Sequence, residues 1–233
     1  MNLSRELLEN EYFQKLALTS TNPNRPAPLT REQMAQSLAQ TLSCRPAGAP
    51  VWIFGYGSLI WNPLFEFEEQ ALVTLHGYRR RFCLKTELSR GTPEFPGLVL
   101  GLEPGGSCRG VTYRLPSDTL DRELQLLWRR EMVTGAYQPR WVTLRDQQKR
   151  SITGLAFVMN LNYPFYAPGL SDEQTAQVLA RAHGPLGSCA EYLFNTHTGL
   201  TAHGIIDAHL HKLVERVREL QDNASATTSA RKA

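Results

Sequence analysis

The sequence predicts an α+β domain built on a mixed, barrel-like β-sheet with flanking helices. Six segments rich in β-branched and aromatic residues begin at Val51, and turn clusters such as "EPGGS" at 103–107 separate them. Helical patterns interrupt this series at irregular intervals. A doubly wound parallel sheet would need a helix between each pair of strands, so the order of elements favours a mixed or barrel-like sheet.

Composition and charge exclude several classes of protein. The 233 residues are 42% hydrophobic and 20% charged, which is typical of a globular chain able to bury a large core. No apolar run approaches the roughly 20 residues that cross a bilayer. A net charge of +3 is too small to indicate nucleic-acid binding, although it is compatible with a small anionic substrate. We expect neither a nucleic-acid nor a membrane partner, and the oligomeric state stays open.

Cysteine spacing and the N-terminus indicate a cytoplasmic location. Cys44, Cys83, Cys108 and Cys189 form no CxxC pair, so neither a zinc knuckle nor a disulfide framework is predicted. Free thiols fit a reducing compartment. The first 20 residues lack the basic start, apolar middle and small-residue cleavage site of a signal peptide.

Residues 1–50 predict a helical N-terminal extension. Two helical patterns flank the segment "TSTNPNRPAP", whose prolines cannot continue a helix. Thr30 and Gln33 form a capping-box pattern at the start of the second helix. The main domain is predicted over residues 51–222, and the low-complexity residues 223–233 are expected to be disordered.

The main domain combines six predicted strands with three helices. The strands are "VWIF", "ALVTLHGYRRRFCLK", "GLVLGLE", "RGVTYRL", "RWVTL" and "TGLAFVMN". A helix in "SDTLDRELQLLWRREM" follows the fourth strand, and "SDEQTAQVLARAHG" opens with a capping box of Ser171 and Gln174. The last helix is predicted from Ile205 to Leu220 by its apolar spacing.

The first predicted strand runs into a loop in which Gly55 and Gly57 flank a tyrosine. A P-loop is excluded because no Gly-Lys-Ser/Thr follows, and the dinucleotide fingerprint is excluded because Ile60 occupies its third glycine position. Glycines allow a positive φ and let a ligand approach backbone N–H groups. The loop could therefore form a small anion or carbonyl pocket, but alone it favours a tight structural turn.

The helix of "SDTLDRELQLLWRREM" directs a carboxylate toward its apolar face. At about 100° per residue, Glu131 falls between Leu124 and Leu127. Burial penalises the charged form of a carboxyl group, so the pKa of such a glutamate rises and suits a general base. Alternatively, the helix ends near Arg130, and Glu131 turns to solvent or pairs with Arg129 or Arg130. The sequence favours neither interpretation.

Other polar residues give weaker signals. The six histidines form no HExxH motif, and Ser58 lacks a GxSxG context, so neither a metal site nor a serine-hydrolase triad is predicted. In "YRRRF", strand alternation makes Arg80 face away from Arg79 and Arg81. One of these facings could direct a guanidinium at a ligand carboxylate, and an exposed strand edge is the alternative.

Four segments are specific when taken together: "VWIFGYGSLIWNP", "GVTYRLP", "RREMVTGAY" and "GPLGSCAEYLF". They resemble the ChaC family of γ-glutamylcyclotransferases, in particular its bacterial members, from about Val51 to the last helix. The N-terminal extension also resembles the bacterial branch. The resemblance implies a γ-glutamylcyclotransferase-like catalytic domain that cleaves glutathione into 5-oxoproline and cysteinylglycine without a metal or an organic cofactor.

The resemblance also implies residue roles. It makes Glu131 the essential glutamate and the glycine loop the holder of the γ-glutamyl group. The implied substrate-binding residues are Ile53, Phe54, Gly55, Tyr56, Gly57, Ser58, Leu59, Arg80 and Tyr192. No role is assigned to Glu87 or Glu94.

The implied reaction agrees with the absence of triad and metal motifs from the sequence. The substrate's own α-amine attacks its γ-carbonyl, so the enzyme needs to fold the substrate back on itself and move protons. Glu131 would take a proton from the α-ammonium and later protonate the departing nitrogen. Two alternatives remain: a cyclotransferase for other γ-glutamyl amines or amino acids, and a non-catalytic cation-transport regulator, which is an older label of the family.

Overall fold

The computed structural model describes residues 3–20 and 22–230, with side chains up to residue 226. The helices are α1 Arg5–Glu9, α2 Tyr12–Leu18, α3 Arg31–Ser43, α4 Ser58–Trp61, α5 Leu120–Glu131, α6 Asp172–Arg181, α7 Cys189–Ala202 and α8 Ala208–Ala230. The strands are β1 Trp52–Gly55, β2 Glu69–Thr86, β3 Gly97–Arg114, β4 Tyr137–Asp146, β5 Ser151–Met159, β6 His183–Gly184 and β7 Gly187–Ser188.

Five strands close into a barrel in the order β1-β3-β2-β4-β5. β1 pairs antiparallel with β3, where Phe54 lies opposite Thr112, and parallel with β5, where Ile53 lies opposite Leu155. β4 and β5 form an antiparallel pair. The prediction of an α+β fold with a mixed, barrel-like sheet and flanking helices is confirmed.

The prediction of two separate strands divided by a turn at residues 103–107 is wrong. The segments "GLVLGLE" and "RGVTYRL" belong to one continuous strand, β3, and the intervening "EPGGS" makes no chain reversal. Gly105 and Gly106 take φ values of 107° and 74° within this strand. Because glycine adopts positive φ without a steric penalty, the strand deforms locally where the sequence indicates a turn.

The chain divides into two compact units. The barrel unit comprises residues 3–81 and 101–166, and therefore holds α1–α5, β1, β4, β5 and most of β2 and β3. The helical unit comprises residues 82–100 together with the chain from residue 167 onward, which includes α6–α8.

In the barrel unit, the N-terminal extension forms three helices rather than the two predicted. Glu11, with a left-handed φ of 56°, separates α1 from α2. The capping box at the start of α3 is confirmed, because Thr30 and Gln33 each bond the other's backbone N–H. Helix α5 packs against β5 through Trp128 and Phe157, whose rings meet edge to face at 5.4 Å.

In the helical unit, the capping box of Ser171 and Gln174 at the start of α6 is confirmed. Helix α8 begins at Ala208 and continues to Ala230, well past the predicted end at Leu220. Residues 223–230, for which we predict disorder, are helical in the structure, and their alanines are strong helix formers. Residues 231–233 lie outside the described part of the chain.

Candidate active site

The glycine loop, residues 55–59, comprises the last residue of strand β1, the two residues after it and the first two residues of the short helix α4. Neither glycine uses a positive φ: Gly57 has φ −140°, and Gly55 is not among the glycines with left-handed backbone. Gly55 is needed for space instead, since a Cβ there would lie 3.2 Å from the Tyr113 ring and 3.3 Å from the Leu59 Cβ. The loop is therefore packed closely against the barrel wall.

Hydrogen bonds to two strands and one helix hold the glycine loop. The Tyr56 hydroxyl donates to the carbonyl oxygen of Phe157 on β5 at 3.0 Å. The Tyr56 carbonyl accepts from Nη1 of Arg80 on β2 at 2.7 Å. Ser58 Oγ accepts from Nη2 of Arg130 on α5 at 2.9 Å. Because all three anchors come from regular elements, the loop has a rigid base.

The substrate-binding residues predicted on β1 and the loop lie in or beside this packed region. Ile53 and Phe54 are fully buried, and Tyr56 and Leu59 are 7% and 6% exposed. Ser58 is half-buried and carries a hydroxyl among these largely apolar neighbours. The buried members form the loop's support, whereas Ser58 presents a polar side chain.

Arg80 is buried behind the loop, which decides between the two facings that the alternation of β2 left open. Its guanidinium donates to the carbonyl of Tyr56 and also to the carbonyl of Arg109 on β3. Arg79, which faces the other way, instead pairs with Glu103. The structure therefore gives Arg80 backbone partners on the loop and on β3, and its contact with a substrate carboxylate stays a prediction.

Glu131 is the last residue of α5, and its side chain is only 14% exposed. Its Oε1 lies 3.1 Å from Nε of Arg130. The structure thus combines the two interpretations left open by the sequence, because the carboxylate is directed inward and is also paired with its neighbour. Burial raises the pKa of the Glu131 carboxyl, and the charge and hydrogen bond of Arg130 offset part of that rise.

Arg130 is a site residue that our sequence interpretation missed. Its side chain is 5% exposed, and the same guanidinium contacts both the Glu131 carboxylate and the Ser58 hydroxyl. This shared contact places Glu131 beside the glycine loop. The available signal was the position of Arg130 next to Glu131, but no local pattern reveals a bond between residues 72 positions apart.

Tyr192 belongs to helix α7 of the helical unit, whereas the loop, Arg80 and Glu131 belong to the barrel unit. Its ring packs edge to face on Phe82 at 6.0 Å, and the guanidinium of Arg90 lies 5.8 Å from the ring centroid. Arg90 also forms an ion pair with Glu191 at 2.7 Å. Tyr192 is therefore held firmly within its own unit.

Among the residues that the structure describes, no cluster of three or more His, Cys, Asp or Glu side chains could hold a metal ion. Cys189 is buried, and that burial raises the pKa of its thiol to about 11, which leaves it protonated at neutral pH. Within the same residues, no helix has the length and apolar character needed to cross a membrane.

Comparisons with known proteins identify a family and several relatives. The family model described as ChaC-like protein matches residues 51–220. A glutathione-specific γ-glutamylcyclotransferase of Escherichia coli K12 is 47% identical over 189 residues, which cover 81% of this chain and 82% of that protein. Glutathione-specific γ-glutamylcyclotransferase 1 of Rattus norvegicus is 31% identical over 82% of this chain and 94% of its own length.

Solved structures show the same fold. The crystal structure of a γ-glutamyl cyclotransferase specific to glutathione from yeast superposes with a TM-score of 0.67. That similarity covers 74% of this chain and 97% of the yeast chain at 24% identity. Given the family match over most of its length, the chain belongs to the ChaC-like family.

Proposed function

We propose that this protein is a γ-glutamylcyclotransferase that cleaves glutathione into 5-oxoproline and cysteinylglycine. The observation that carries the proposal is the inward-facing carboxylate of Glu131, which shares the Arg130 guanidinium with Ser58 of the glycine loop. The names of the E. coli and rat relatives support glutathione as the substrate. Membership of the ChaC-like family supports the reaction class.

The reaction supplies its own nucleophile. The α-nitrogen of the γ-glutamyl group attacks the γ-carbonyl carbon, the C–N bond to the cysteinyl residue breaks, and the five-membered lactam closes. Such an intramolecular step gains from orientation, since the reacting atoms need only be held close together. The protein therefore has to bend the substrate and manage its protons.

Glu131 would manage those protons. The α-nitrogen begins as an ammonium group and ends as a lactam N–H, so it loses two protons. The departing nitrogen gains two as it changes from an amide N–H to an ammonium group. The net reaction thus neither releases nor consumes a proton, and one carboxylate can carry each proton in turn. A semi-buried glutamate suits this shuttle, because burial raises its pKa and thereby makes the carboxylate a stronger proton acceptor than an exposed one.

The glycine loop would stabilise the negative charge that develops on the γ-carbonyl oxygen. Gly57 provides no side-chain cap for helix α4, and the Ile60 N–H donates to the Gly57 carbonyl at 3.0 Å, so the N–H groups of Ser58 and Leu59 are the candidate donors. Backbone N–H groups and the Ser58 hydroxyl are suitable donors to an oxyanion or to the α-carboxylate. The hydrogen bonds to Arg80 and Phe157 hold the loop rigidly and would keep those donors directed at the substrate during the reaction.

A direct assay tests this function. Purified protein is incubated with glutathione, and 5-oxoproline and cysteinylglycine are quantified. We expect Glu131→Gln to lower kcat/KM by about 10²–10⁴-fold, the usual contribution of a general acid–base group. Glu94→Gln, which changes an exposed loop carboxylate in the same way, is the matched control and should retain full activity. Undiminished turnover in Glu131→Gln would refute the assigned mechanism.

A panel of other γ-glutamyl amines and amino acids measures the substrate range under the same conditions. Copurification with a transport protein, without turnover of any of these compounds, would instead favour a regulatory role. The roles of Ile53, Arg80 and Tyr192 in substrate binding, together with a cytoplasmic location, belong to the proposal. Tyr192→Phe kinetics and cell fractionation are the corresponding tests.

A further inference from the structure

The guanidinium of Arg130 contacts both Glu131, the proposed general base, and the glycine loop. Nε contacts Glu131 Oε1 at 3.1 Å, Nη1 donates to the carbonyl oxygens of Asn62 and Pro63 at 2.6 and 3.2 Å, and Nη2 donates to Ser58 Oγ at 2.9 Å. The side chain is 5% exposed. A buried planar group with partners on three nitrogens has little freedom to rotate, so it fixes the geometry of everything it contacts.

We infer that Arg130 is the positioning residue of this site, holding the Glu131 carboxylate and the Ser58 hydroxyl on one guanidinium so that base and loop donor face the substrate together. This inference deepens the proposed function and rests on it. It assigns separate tasks to the two sides of the guanidinium.

The Nε side acts on Glu131 through charge. Arg130 is the charged group that acts on the pKa of this carboxyl, and its positive charge favours the ionised form against the penalty of burial. Only an ionised carboxylate can accept the proton of the α-ammonium. Without the guanidinium, burial would leave a larger fraction of Glu131 protonated at neutral pH.

The Nη2 side orients the hydroxyl group of Ser58. A serine hydroxyl has one proton to donate, and its oxygen already accepts a hydrogen bond from Arg130. The hydroxyl proton is therefore free to point at another acceptor. The carbonyls of Asn62 and Pro63 hold the other terminal nitrogen, which prevents the guanidinium from swinging away from Ser58.

The first experiment compares pH profiles of glutathione cleavage. We expect Arg130→Met to lower kcat/KM by about 10²-fold near pH 7, within the range of general acid–base effects. Because the missing charge raises the pKa of Glu131, the acid limb of the profile should move to higher pH, and the loss should be larger at pH 6 than at pH 9. Arg129→Met removes the neighbouring charge of the same helix and should leave the acid limb in place, since Arg129 bonds the carbonyl of Glu9.

The second experiment separates charge from shape. Arg130→Lys keeps a positive charge but cannot reproduce the planar fork, so its acid limb should stay near that of the wild type while kcat falls about 10- to 100-fold. Ser58→Ala should cost much less in the Arg130→Lys background than in the wild type, because the lysine no longer directs the hydroxyl. This comparison also decides the matter if Arg130→Met does not fold.

Two results would overturn the inference. In the first, the acid limb of the Arg130→Met profile lies at the same pH as that of the wild type. In the second, the losses of activity caused by Arg130→Lys and by Ser58→Ala are additive in the double variant. Either result, obtained with an active wild type and an inactive Glu131→Gln, rejects the role of Arg130 while leaving the proposed function intact. A wild-type protein that releases no 5-oxoproline from glutathione rejects the proposed function itself.

Discussion

Arg5 and Glu123 form a bidentate ion pair between helix α1 of the N-terminal extension and helix α5. Helix α5 ends at Glu131. Nη1 lies 2.8 Å from one carboxylate oxygen and Nη2 lies 2.7 Å from the other. The Glu123 side chain has no exposed surface. The matched family model begins at residue 51, so a segment outside it braces the helix that carries the proposed base.

Removing the Arg5 side of this pair should destabilise the fold. Arg5→Met leaves a fully buried carboxylate with fewer partners, and we expect the free energy of unfolding to fall by about 1–3 kcal/mol. Arg122→Met is the control, because Arg122 bonds the same carboxylate at 3.0 Å but is 57% exposed. Urea denaturation measures both variants. Equal losses would contradict the special role of Arg5.

The same pair should make stability depend on pH. Burial alone would raise the pKa of Glu123, but bonds from Arg5, the Glu66 N–H and Arg122 hold it below its usual value. A carboxyl whose pKa is lowered by folding stabilises the protein above its unfolded pKa, and this stabilisation is lost as the pH falls through its folded pKa. The Tm difference between wild type and Glu123→Gln should thus be largest near neutral pH and shrink in acid. A constant difference would exclude this linkage.

Gly110 on β3 should tolerate no side chain. A Cβ there would lie 2.7 Å from the Phe54 ring and still closer to the carbonyl oxygen of Gly55, at the start of the glycine loop. We expect Gly110→Ala to lower the free energy of unfolding by about 1–3 kcal/mol and to reduce turnover by displacing the loop. Gly55→Ala, whose Cβ would meet its nearest neighbour at 3.2 Å, should have a milder effect on both. The reverse order would show that the loop shifts more easily than the strand.

Tyr56→Phe should spare substrate binding. The Tyr56 hydroxyl is engaged by the Phe157 carbonyl, so its loss should cost about 1 kcal/mol of stability and change KM for glutathione little. Ser58→Ala, which removes the polar side chain of the loop, should reduce kcat more strongly. Steady-state kinetics of both variants check this difference. A large rise in KM for Tyr56→Phe alone would mean that the hydroxyl contacts the substrate.

Much of the fold could be predicted because its signals are local. The capping boxes at Thr30 and Ser171 involve residues three positions apart, and the opposite facing of Arg79 and Arg80 follows from strand alternation. The continuity of β3 could not be predicted, because Pro104 and the two glycines after it indicate a turn. Glu103, just before them, is held by Arg79 and Tyr166 from distant parts of the chain. Tertiary contacts there override a turn-forming composition.

In the candidate site, too, local features could be predicted from the sequence and long-range contacts could not. Helical phase shows that Glu131 can face inward, but the residues of α5 alone left exposure to solvent or pairing with Arg130 equally open. The contributions of Arg130 and Gly110 depend on contacts with the glycine loop, which lies far away in sequence. The sequence also suggests positive φ as the purpose of Gly55 and Gly57, whereas close packing against Tyr113 explains Gly55.

The three anchors of the glycine loop affect how substrates compete for the site. A loop held by Phe157, Arg80 and Arg130 loses its conformational entropy when the protein folds, so little more is lost when a ligand arrives. The conformational entropy lost on binding is then mainly that of the flexible γ-glutamyl chain, which has to bend to fit a preorganised site. Ligands already constrained in that bent shape should bind this protein more tightly than their linear counterparts.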